Sequence, residues 1–209
     1  MKAPRLTVVA DSSATVGRPL AEVVGEAVRG GAPAVWVREK AVPARERRAL
    51  VEQLAAIVHA AGASLVASPG PGSDLADAYQ VGAGTVVPQG GKPFGRSCHD
   101  MAELARAVHE GCSWVTVSPV FASASKPGYG PALGLEGLAA MVAAVRPAPG
   151  APAGRPGPDV LALGGVTSAN APHCLAAGAA GVVVMGAVMA AADVAAEVER
   201  ILACLEVAG

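Results

Sequence analysis

Aromatic side chains are scarce in this sequence, which has two Trp, two Tyr and two Phe among its 209 residues. Because hydrophobic residues still make up 52% of the chain, the interior must be filled largely by Val, Ala and Leu. Such side chains suit parallel strands that are buried on both faces. The sequence also has little net charge, with 16 basic and 17 acidic residues. This balance argues against a nucleic-acid partner and against charge-driven attachment to a membrane surface.

The four cysteines form no CxxC pair that would indicate a zinc site or a redox dithiol. We interpret them as reduced thiols of a cytoplasmic protein. No apolar run reaches the roughly 18–20 residues that cross a bilayer, and the N-terminus leads into a strand without the features of a signal peptide. The sequence therefore predicts a cytoplasmic location and no membrane partner.

Short apolar runs alternate with amphipathic segments along the chain. The runs predict eight strands, at Leu6–Ala10, Ala34–Val37, Ser64–Ala67, 85–87, Phe94–Cys98, from Trp114 onwards, 160–163 and 181–185. Helices are predicted between them, including a short one at residues 73–80, but none fits between the fourth and fifth strands. This alternation predicts an α/β protein with a single (β/α)8 TIM barrel. An open doubly wound sheet is the alternative, but it requires a glycine fingerprint after the first strand, and that fingerprint is missing.

Residues 147–159, PAPGAPAGRPGPD, are rich in proline and glycine. This composition predicts a flexible segment. Because only about 50 residues follow it, too few to form a core of their own, we interpret it as an insertion in a loop between a helix and a strand. The chain is thus expected to form one domain over residues 1–209.

Active sites of such barrels lie at the carboxyl ends of the strands. Basic residues dominate the positions predicted to lie there: Arg38, Lys40, Lys92 and Lys126 face only Asp11 and Glu39 as acids. A small site rich in Arg and Lys indicates an anionic ligand, with phosphate or diphosphate the natural choice. Lys126 stands in a long polar loop after the sixth strand. A surface loop with a solvated lysine is the alternative interpretation of that loop.

Glycines follow the last two strands, where Gly164 and Gly165 end the seventh and Gly186 ends the eighth after Met185. Glycine lets backbone N–H groups approach an anion closely, and the loops after strands seven and eight are the usual phosphate site of barrels. The alternative is that these glycines only form tight turns.

His99 is the one histidine of four that is predicted to lie near the mouth of the barrel. It could act in acid–base chemistry, or it could serve a capping or structural role at the start of a helix.

Four segments resemble signature motifs of the thiamine phosphate synthase/TenI family. They are VREK at 37–40, GRSCHD at 95–100, SPVFASASKPGYGPALGLEGL at 118–138 and LALGGVTSANAPHCLAAGAAGVVVMGAV at 161–188. The resemblance implies a (β/α)8 barrel and a thiamine biosynthesis enzyme. In the synthase, an aminopyrimidine methyl diphosphate loses diphosphate, and a thiazole phosphate captures the resulting cation.

The resemblance also assigns residues. Arg38 and Lys40 match the basic residues of an R-x-K motif, and Ser97 matches the serine of G-x-S-x-H. Lys126 matches the lysine of a mobile loop that contacts diphosphate. Gly165 and the turn formed by Met185 and Gly186 match the cradle for the thiazole phosphate. The implied partners are small phosphorylated thiazole and pyrimidine substrates, and a homodimer is one assembly that we consider.

The chain departs from the family where the resemblance implies magnesium. The expected carboxylates after the third and fourth strands are replaced, with Pro69 at one position and Gly91 at the other, so no metal ligand is assigned. Asp74 is considered as a substitute. Trp36 replaces a glutamine, and Pro119 stands where the TenI branch has its acid–base histidine.

Three functions are therefore consistent with the sequence. The first is thiamine phosphate synthase, a transferase. The second is a TenI-like thiazole tautomerase, an isomerase that needs no metal and would use another residue such as His99. The third is a non-catalytic barrel that binds a thiazole phosphate.

Overall fold

A computed structural model describes residues 2–122, 131–146 and 157–207. Eight strands form one closed barrel in the order of the sequence. All neighbouring strands are parallel, and the barrel closes where Leu6 of the first strand pairs with Val182 of the last. The strands are β1 Leu6–Ala10, β2 Ala34–Val37, β3 Ser64–Ala67, β4 Ala78–Val81, β5 Phe94–Cys98, β6 Trp114–Val117, β7 Asp159–Leu163 and β8 Gly181–Val184. The predicted (β/α)8 barrel is confirmed.

Helices cover the outside of the barrel. They are α1 Leu20–Arg29, α2 Ala44–Ala60, α3 Met101–Glu110, α4 Gly134–Val145, α5 Ala171–Ala176, α6 Gly186–Met189 and α7 Val194–Val207. Short 3-10 turns follow β1 at Ser12–Ala14 and β3 at Ser73–Leu75. Within the described residues, no helix is both long enough and apolar enough to span a membrane.

Two layers of side chains make up the core. The outer layer lies between strands and helices and consists mostly of Val, Leu and Ala. The inner cluster fills the barrel and contains both tryptophans, Trp36 and Trp114, with Val9, Leu161 and Val183. The two tryptophans, the largest side chains of the chain, thus lie inside the barrel, whereas Phe94 and Phe121 pack against the outer layer.

The fourth strand was predicted at the wrong place. Residues 73–80 were expected to be helical and 85–87 to be the strand, but β4 is Ala78–Val81. The strand contains Gln80, whose amide is buried inside the barrel and hydrogen bonded there, so its polarity concealed a fully buried strand. Residues 85–87 have branched side chains but no strand partner, and Val86 is 86% exposed.

The proline- and glycine-rich insertion lies largely outside the described residues. The predicted end of the insertion is wrong by one residue, because Asp159 is the first residue of β7. The Asp159 carboxylate accepts a hydrogen bond of 3.0 Å from the Ala3 backbone N–H. The strand therefore begins one residue earlier than its apolar run.

The tight fit inside the barrel can be tested at Gly95, which pairs with Trp114 across β5 and β6. A Cβ atom on Gly95 would lie 1.9 Å from Trp114 Nε1. Overpacking of this kind costs about 1–3 kcal/mol or more. For Gly95→Ala we therefore expect a melting temperature lower by about 3–10 °C in a chain of this size.

The matched control is Gly84→Ala, because a Cβ at Gly84 has no neighbour within 4 Å. Thermal unfolding followed by circular dichroism measures both variants. Equal melting temperatures for the two would show that the barrel interior adapts to the added methyl group.

Candidate active site

Two cavities adjoin at the carboxyl ends of the strands. The first, of about 380 Å³, lies at the ends of β6, β7 and β8. The second, of about 420 Å³, lies toward β2, β3, β4 and β5. Trp36, Arg38, Ser118 and Leu163 line both. The mouth can therefore hold two ligands side by side with Trp36 and Arg38 between them.

Arg38 is held by an ion pair with Asp11 at the end of β1. Its Nη1 lies 2.8 Å from Asp11 Oδ2, and both side chains are largely buried. Burial by itself would raise the pKa of Asp11, but hydrogen bonds from the Ser13 hydroxyl and N–H, together with the Arg38 charge, outweigh it. The pKa of Asp11 is therefore below its usual value, and Asp11 stays ionised and fixes the guanidinium.

Glu39, the other acid at the mouth, is buried and turned toward the 3-10 turn after β1. Its carboxylate accepts hydrogen bonds from the Ser12 backbone N–H and from the Ser12 hydroxyl, the latter at 3.1 Å. The next residue, Lys40, is exposed and lines the second cavity. Arg38, Glu39 and Lys40 therefore all line the second cavity, and the Glu39 carboxylate is bound by Ser12.

Arg47 is a site residue that the sequence reasoning missed. It lies in the first turn of α2 and is only 6% exposed. Its guanidinium donates to the carbonyl oxygens of Ser68 at 2.7 Å and Pro71 at 2.5 Å in the turn after β3. A signal was available, because Arg47 continues the buried stripe of Val51, Leu54 and Val58 at helical spacing.

A polar network crosses the barrel below the second cavity. Gln80 accepts a hydrogen bond of 2.8 Å from Trp114 Nε1 and donates to Thr116 Oγ1 at 3.1 Å and Ser97 Oγ at 3.3 Å. Ser97, predicted as a site residue, therefore lines the cavity with its hydroxyl oriented by the barrel interior. Gln80, which makes all three of these hydrogen bonds, was predicted from the sequence to end a helix.

His99 also lines the second cavity. Its Nδ1 lies 2.7 Å from the carbonyl oxygen of Ser118, an atom that only accepts, so Nδ1 carries a proton. Its backbone N–H donates to the Glu103 carboxylate at 2.7 Å. The imidazole is thus fixed in orientation, and the helix-capping interaction at this position is made by its backbone.

The turn after β7 is shaped by close packing and by Asn170. At Gly164 and Gly165 φ is +98° and +64°, and a Cβ there would lie 2.8 Å from Pro119 Cα and 2.5 Å from Ala122 O, respectively. Asn170 accepts from Thr167 N–H at 2.8 Å and donates to Gly165 O at 2.9 Å. The two glycines therefore admit the chain after β6 and also line the first cavity.

The turn after β8 completes the first cavity. Met185 and Gly186 both line it, and a Cβ on Gly186 would meet nothing within 4 Å. The predicted phosphate residues Gly164, Gly165, Met185 and Gly186 are therefore brought together around one cavity.

Lys92, Asp74 and Lys126 were also considered from the sequence as residues of the site. Lys92 was expected at the mouth, but its ammonium donates to the carbonyl oxygens of Asp74 and Ala76 at 2.6 and 2.5 Å and lines neither cavity. Asp74 forms a bidentate ion pair with Arg48 at 2.8 and 3.1 Å, so it is not a substitute metal ligand. Lys126 lies outside the described residues.

The residues present at the mouth do not fit a magnesium site. The turn after β3 reads Ser68-Pro69-Gly70, and β4 is followed by Gly82-Ala83-Gly84-Thr85, while Gly91 lies farther along the connection to β5. No group of three or more His, Cys, Asp or Glu side chains within the described ranges could hold a metal ion. Segment 123–130 contains no Asp or Glu in its sequence either. Magnesium prefers carboxylate and other oxygen ligands, and the two carboxylates at this mouth are already bound, Asp11 by Arg38 and Ser13 and Glu39 by Ser12.

The sequence of this barrel is similar to those of known proteins. A family model described as thiamine monophosphate synthase matches residues 6–84 and 87–188. The chain belongs to the thiamine monophosphate synthase family. It is 32% identical to the thiamine-phosphate synthase of Chloroflexus aurantiacus, over 97% of this chain and 93% of that protein. It is 34% identical to the thiamine-phosphate synthase of Moorella thermoacetica, over 88% of each.

A solved structure is similar over nearly the whole length of this family member. The thiamine phosphate pyrophosphorylase of Pyrococcus furiosus superposes with a TM-score of 0.81 at 26% identity, over 98% of this chain and 96% of that one. The family resemblance inferred from the four motifs is therefore confirmed.

The Asp11–Arg38 ion pair predicts a pH-dependent contribution to stability. Because the pKa of Asp11 is lowered on folding, its contribution is fully present above the usual aspartate pKa of about 4 and is lost as the pH falls through the folded value. Asp11→Asn should therefore destabilise the protein at neutral pH, with a difference from wild type that shrinks toward about pH 3.

Urea unfolding of wild type, Asp11→Asn, Arg38→Met and the double variant measures this. The double-mutant cycle should give a coupling of about 0.5–3 kcal/mol at neutral pH. A stability difference between wild type and Asp11→Asn that does not change with pH would contradict the assignment.

Proposed function

We propose that this protein is a thiamine phosphate synthase, a transferase that joins an aminopyrimidine methyl diphosphate to a thiazole phosphate and releases diphosphate. The observation that carries the proposal is the pair of adjoining cavities that share Trp36 and Arg38. A reaction between two phosphorylated substrates needs two anion sites with their reactive ends in contact. Relatives that are named thiamine-phosphate synthases support the same activity.

The first cavity is suited to the thiazole phosphate. Its wall contains apolar side chains such as Val9, Leu163 and Val183, against which a heterocycle can pack. The glycine-containing turns after β7 and β8 lie at its rim, where barrels commonly bind phosphate through backbone N–H groups. We assign the phosphate group to Gly164, Gly165 and the Met185–Gly186 turn.

The second cavity is suited to the aminopyrimidine methyl diphosphate. Arg38 and Lys40 would bind the diphosphate, and Ser97 would orient it with a hydroxyl held by Gln80 and Thr116. The pyrimidine would then lie near Trp36, which can stack on an aromatic ring. Lys126 would approach from the loop after β6, as the family motif implies.

The chemical step requires charge stabilisation more than proton transfer. The bond between the methylene carbon and the diphosphate oxygen breaks, its electron pair leaves with diphosphate, and the thiazole nitrogen attacks the resulting cation. Fixed positive groups lower the barrier because they stabilise the charge that develops on the leaving group. Since the mouth does not fit magnesium, we assign this role to side chains of the chain and derive no step through a metal.

His99 favours a second candidate, the thiazole tautomerase. Its ring is oriented by the hydrogen bond to Ser118 O and lines the second cavity, which meets the first cavity at Ser118. It could therefore move a proton on a thiazole whose ring reaches the second cavity. A barrel that only binds a thiazole phosphate is the third candidate. Loss of isomerisation in His99→Asn with no loss of condensation would support the second candidate over the first.

Two further proposals concern the setting of the protein. The four cysteines all lie within the described residues, and none is in a disulfide there, which supports the cytoplasm as its location because thiols stay reduced there. A homodimer stays a prediction that light scattering of the purified protein can test.

Lys126 provides the test of the transferase. If its ammonium stabilises the departing diphosphate, Lys126→Ala should lower kcat by about 10²–10³-fold, as removal of one charge-stabilising donor does in other enzymes. The assay is formation of thiamine phosphate from the two substrates. Lys2→Ala, a lysine near the N-terminus and outside both cavities, is the control and should keep wild-type kcat. Absence of product from the wild-type protein under all metal conditions would sink the transferase proposal.

Trp36 provides a test of where the ligands bind. It lines both cavities, whereas Trp114 is buried beneath them and bonded to Gln80. Thiazole phosphate should therefore change the tryptophan fluorescence of wild type and of Trp114→Phe, but not of Trp36→Phe. A response that is lost in Trp114→Phe and kept in Trp36→Phe would place the ligand elsewhere.

A further inference from the structure

We propose that the diphosphate end of the second cavity is a metal-independent anion site in which the buried guanidinium of Arg47 supplies the positive charge expected of magnesium. The inference rests on the proposed function for the identity of its ligand, a diphosphate ester or free diphosphate. Its physical basis is a set of contacts made by α2 and the turn after β3.

Arg47 lies at the position where a metal ligand was expected. The turn after β3 wraps around its guanidinium, which donates to Ser68 O and Pro71 O. A Cβ on Gly70 would lie 3.1 Å from Arg47 Nη1. Pro69, which replaces the expected carboxylate, lines the same cavity as Arg47. The turn thus binds the guanidinium of Arg47 through its carbonyl oxygens, where the family would bind a magnesium ion through a carboxylate.

The guanidinium has donors to spare for a ligand. A guanidinium carries more N–H donors than the two carbonyl oxygens use, and Arg47 is also part of the cavity lining. Its planar fork matches the oxygen atoms of a phosphate group. The two carbonyl contacts use one hydrogen bond from Nη1 and one from Nη2, so they fix the group without using all of its donors.

The charges around the cavity favour an anion over a metal cation. Arg38, Lys40 and Arg47 line it with one carboxylate, Glu39, whose oxygens accept from Ser12. Burial lowers the pKa of Arg47 and the Glu39 charge opposes this effect, while arginine remains protonated at neutral pH. A divalent cation entering this cavity would meet three positive charges, two of them on hydrogen-bonded guanidinium groups, and few oxygen ligands, whereas a diphosphate would neutralise them.

The inference is tested by binding of inorganic diphosphate to the wild-type protein, measured by calorimetry with EDTA and with magnesium. We expect binding in EDTA, and we expect added magnesium to change the Kd by less than about threefold, which is under 1 kcal/mol. Binding only in the presence of magnesium would overturn the inference, and so would no binding under either condition.

Variants of Arg47 test its part in the site. Arg47→Met should weaken diphosphate binding in EDTA on the order of tenfold to a hundredfold, and Arg47→Lys should weaken it less because it keeps the charge. Arg48→Met is the matched control, since Arg48 is the next residue of α2 but is exposed and pairs with Asp74. Wild-type affinity in Arg47→Met would overturn the role of Arg47.

A fold check is built into the same experiment. Arg47 does not line the first cavity, so Arg47→Met should still bind thiazole phosphate with wild-type affinity. If that variant does not fold, the metal dependence of the wild-type protein and the affinity of Arg47→Lys still decide the matter.

Failure of this inference can be told apart from failure of the proposed function. Metal-free diphosphate binding without any product from the two substrates would leave the anion site standing and remove the transferase. Product that forms only with magnesium, together with magnesium-dependent diphosphate binding, would leave the transferase standing and remove the metal-independent site.

Discussion

The limited volume inside an eight-stranded barrel is the constraint on which the rest of this structure depends. Most of the chain fills its core with small and branched side chains, but both tryptophans lie inside the barrel. Trp114 fits because its neighbour on β5 is Gly95, and its indole N–H is satisfied by Gln80. Trp36 lies above, where its indole N–H donates to Ser68 Oγ at 3.0 Å. The two cavities lie beyond these packed side chains, with Trp36 in the wall of both.

The charged side chains at the mouth of the barrel are held by different kinds of partner. Arg38 is paired with Asp11, and Glu39 is bonded to Ser12. Arg47 is held by backbone carbonyl oxygens, which are only partial negative charges. The cavity therefore keeps an excess of positive charge in fixed positions. Preorganised charge of this kind acts on an anion without the reorganisation that solvent would require.

Sequence reasoning succeeded where a pattern repeats and where a motif is local. Seven of the eight strands could be predicted, and six of them are short apolar runs before a glycine or polar turn, whereas β5 contains Gly95, Arg96 and Ser97. The parallel barrel follows from the alternation of strands with helices. Arg38, Lys40 and His99 come within three residues of a strand end and Ser97 is next to the last residue of β5, so their place at the mouth could be predicted from the sequence. These successes depend on neighbours along the chain.

The errors come from contacts between distant residues. The burial of Gln80 depends on Trp114 and Thr116. The helical spacing of Arg47 with Val51 indicates that Arg47 is buried, but its carbonyl partners are known only from the turn after β3. Lys92 was assigned to the mouth because it follows a predicted strand that does not form. Asn170, which holds the turn after β7 through Gly165 and Thr167, carries no signal of its own in a single sequence.

The other buried arginine, Arg96, shows how the wall of the second cavity is supported from outside. It projects from β5 away from the barrel and donates to the carbonyl oxygens of Gly82 and Thr85 at 2.7 and 3.0 Å. Its Nε lies 2.5 Å from a Glu110 carboxylate oxygen at the end of α3. Gly82 and Thr85 line the cavity, although Arg96 and Glu110 do not touch it. The shape of the ligand pocket thus depends partly on an ion pair on the far side of the sheet. A substitution of Glu110 during evolution would change the position of Gly82 and Thr85 in the pocket wall without replacing any residue that faces a ligand.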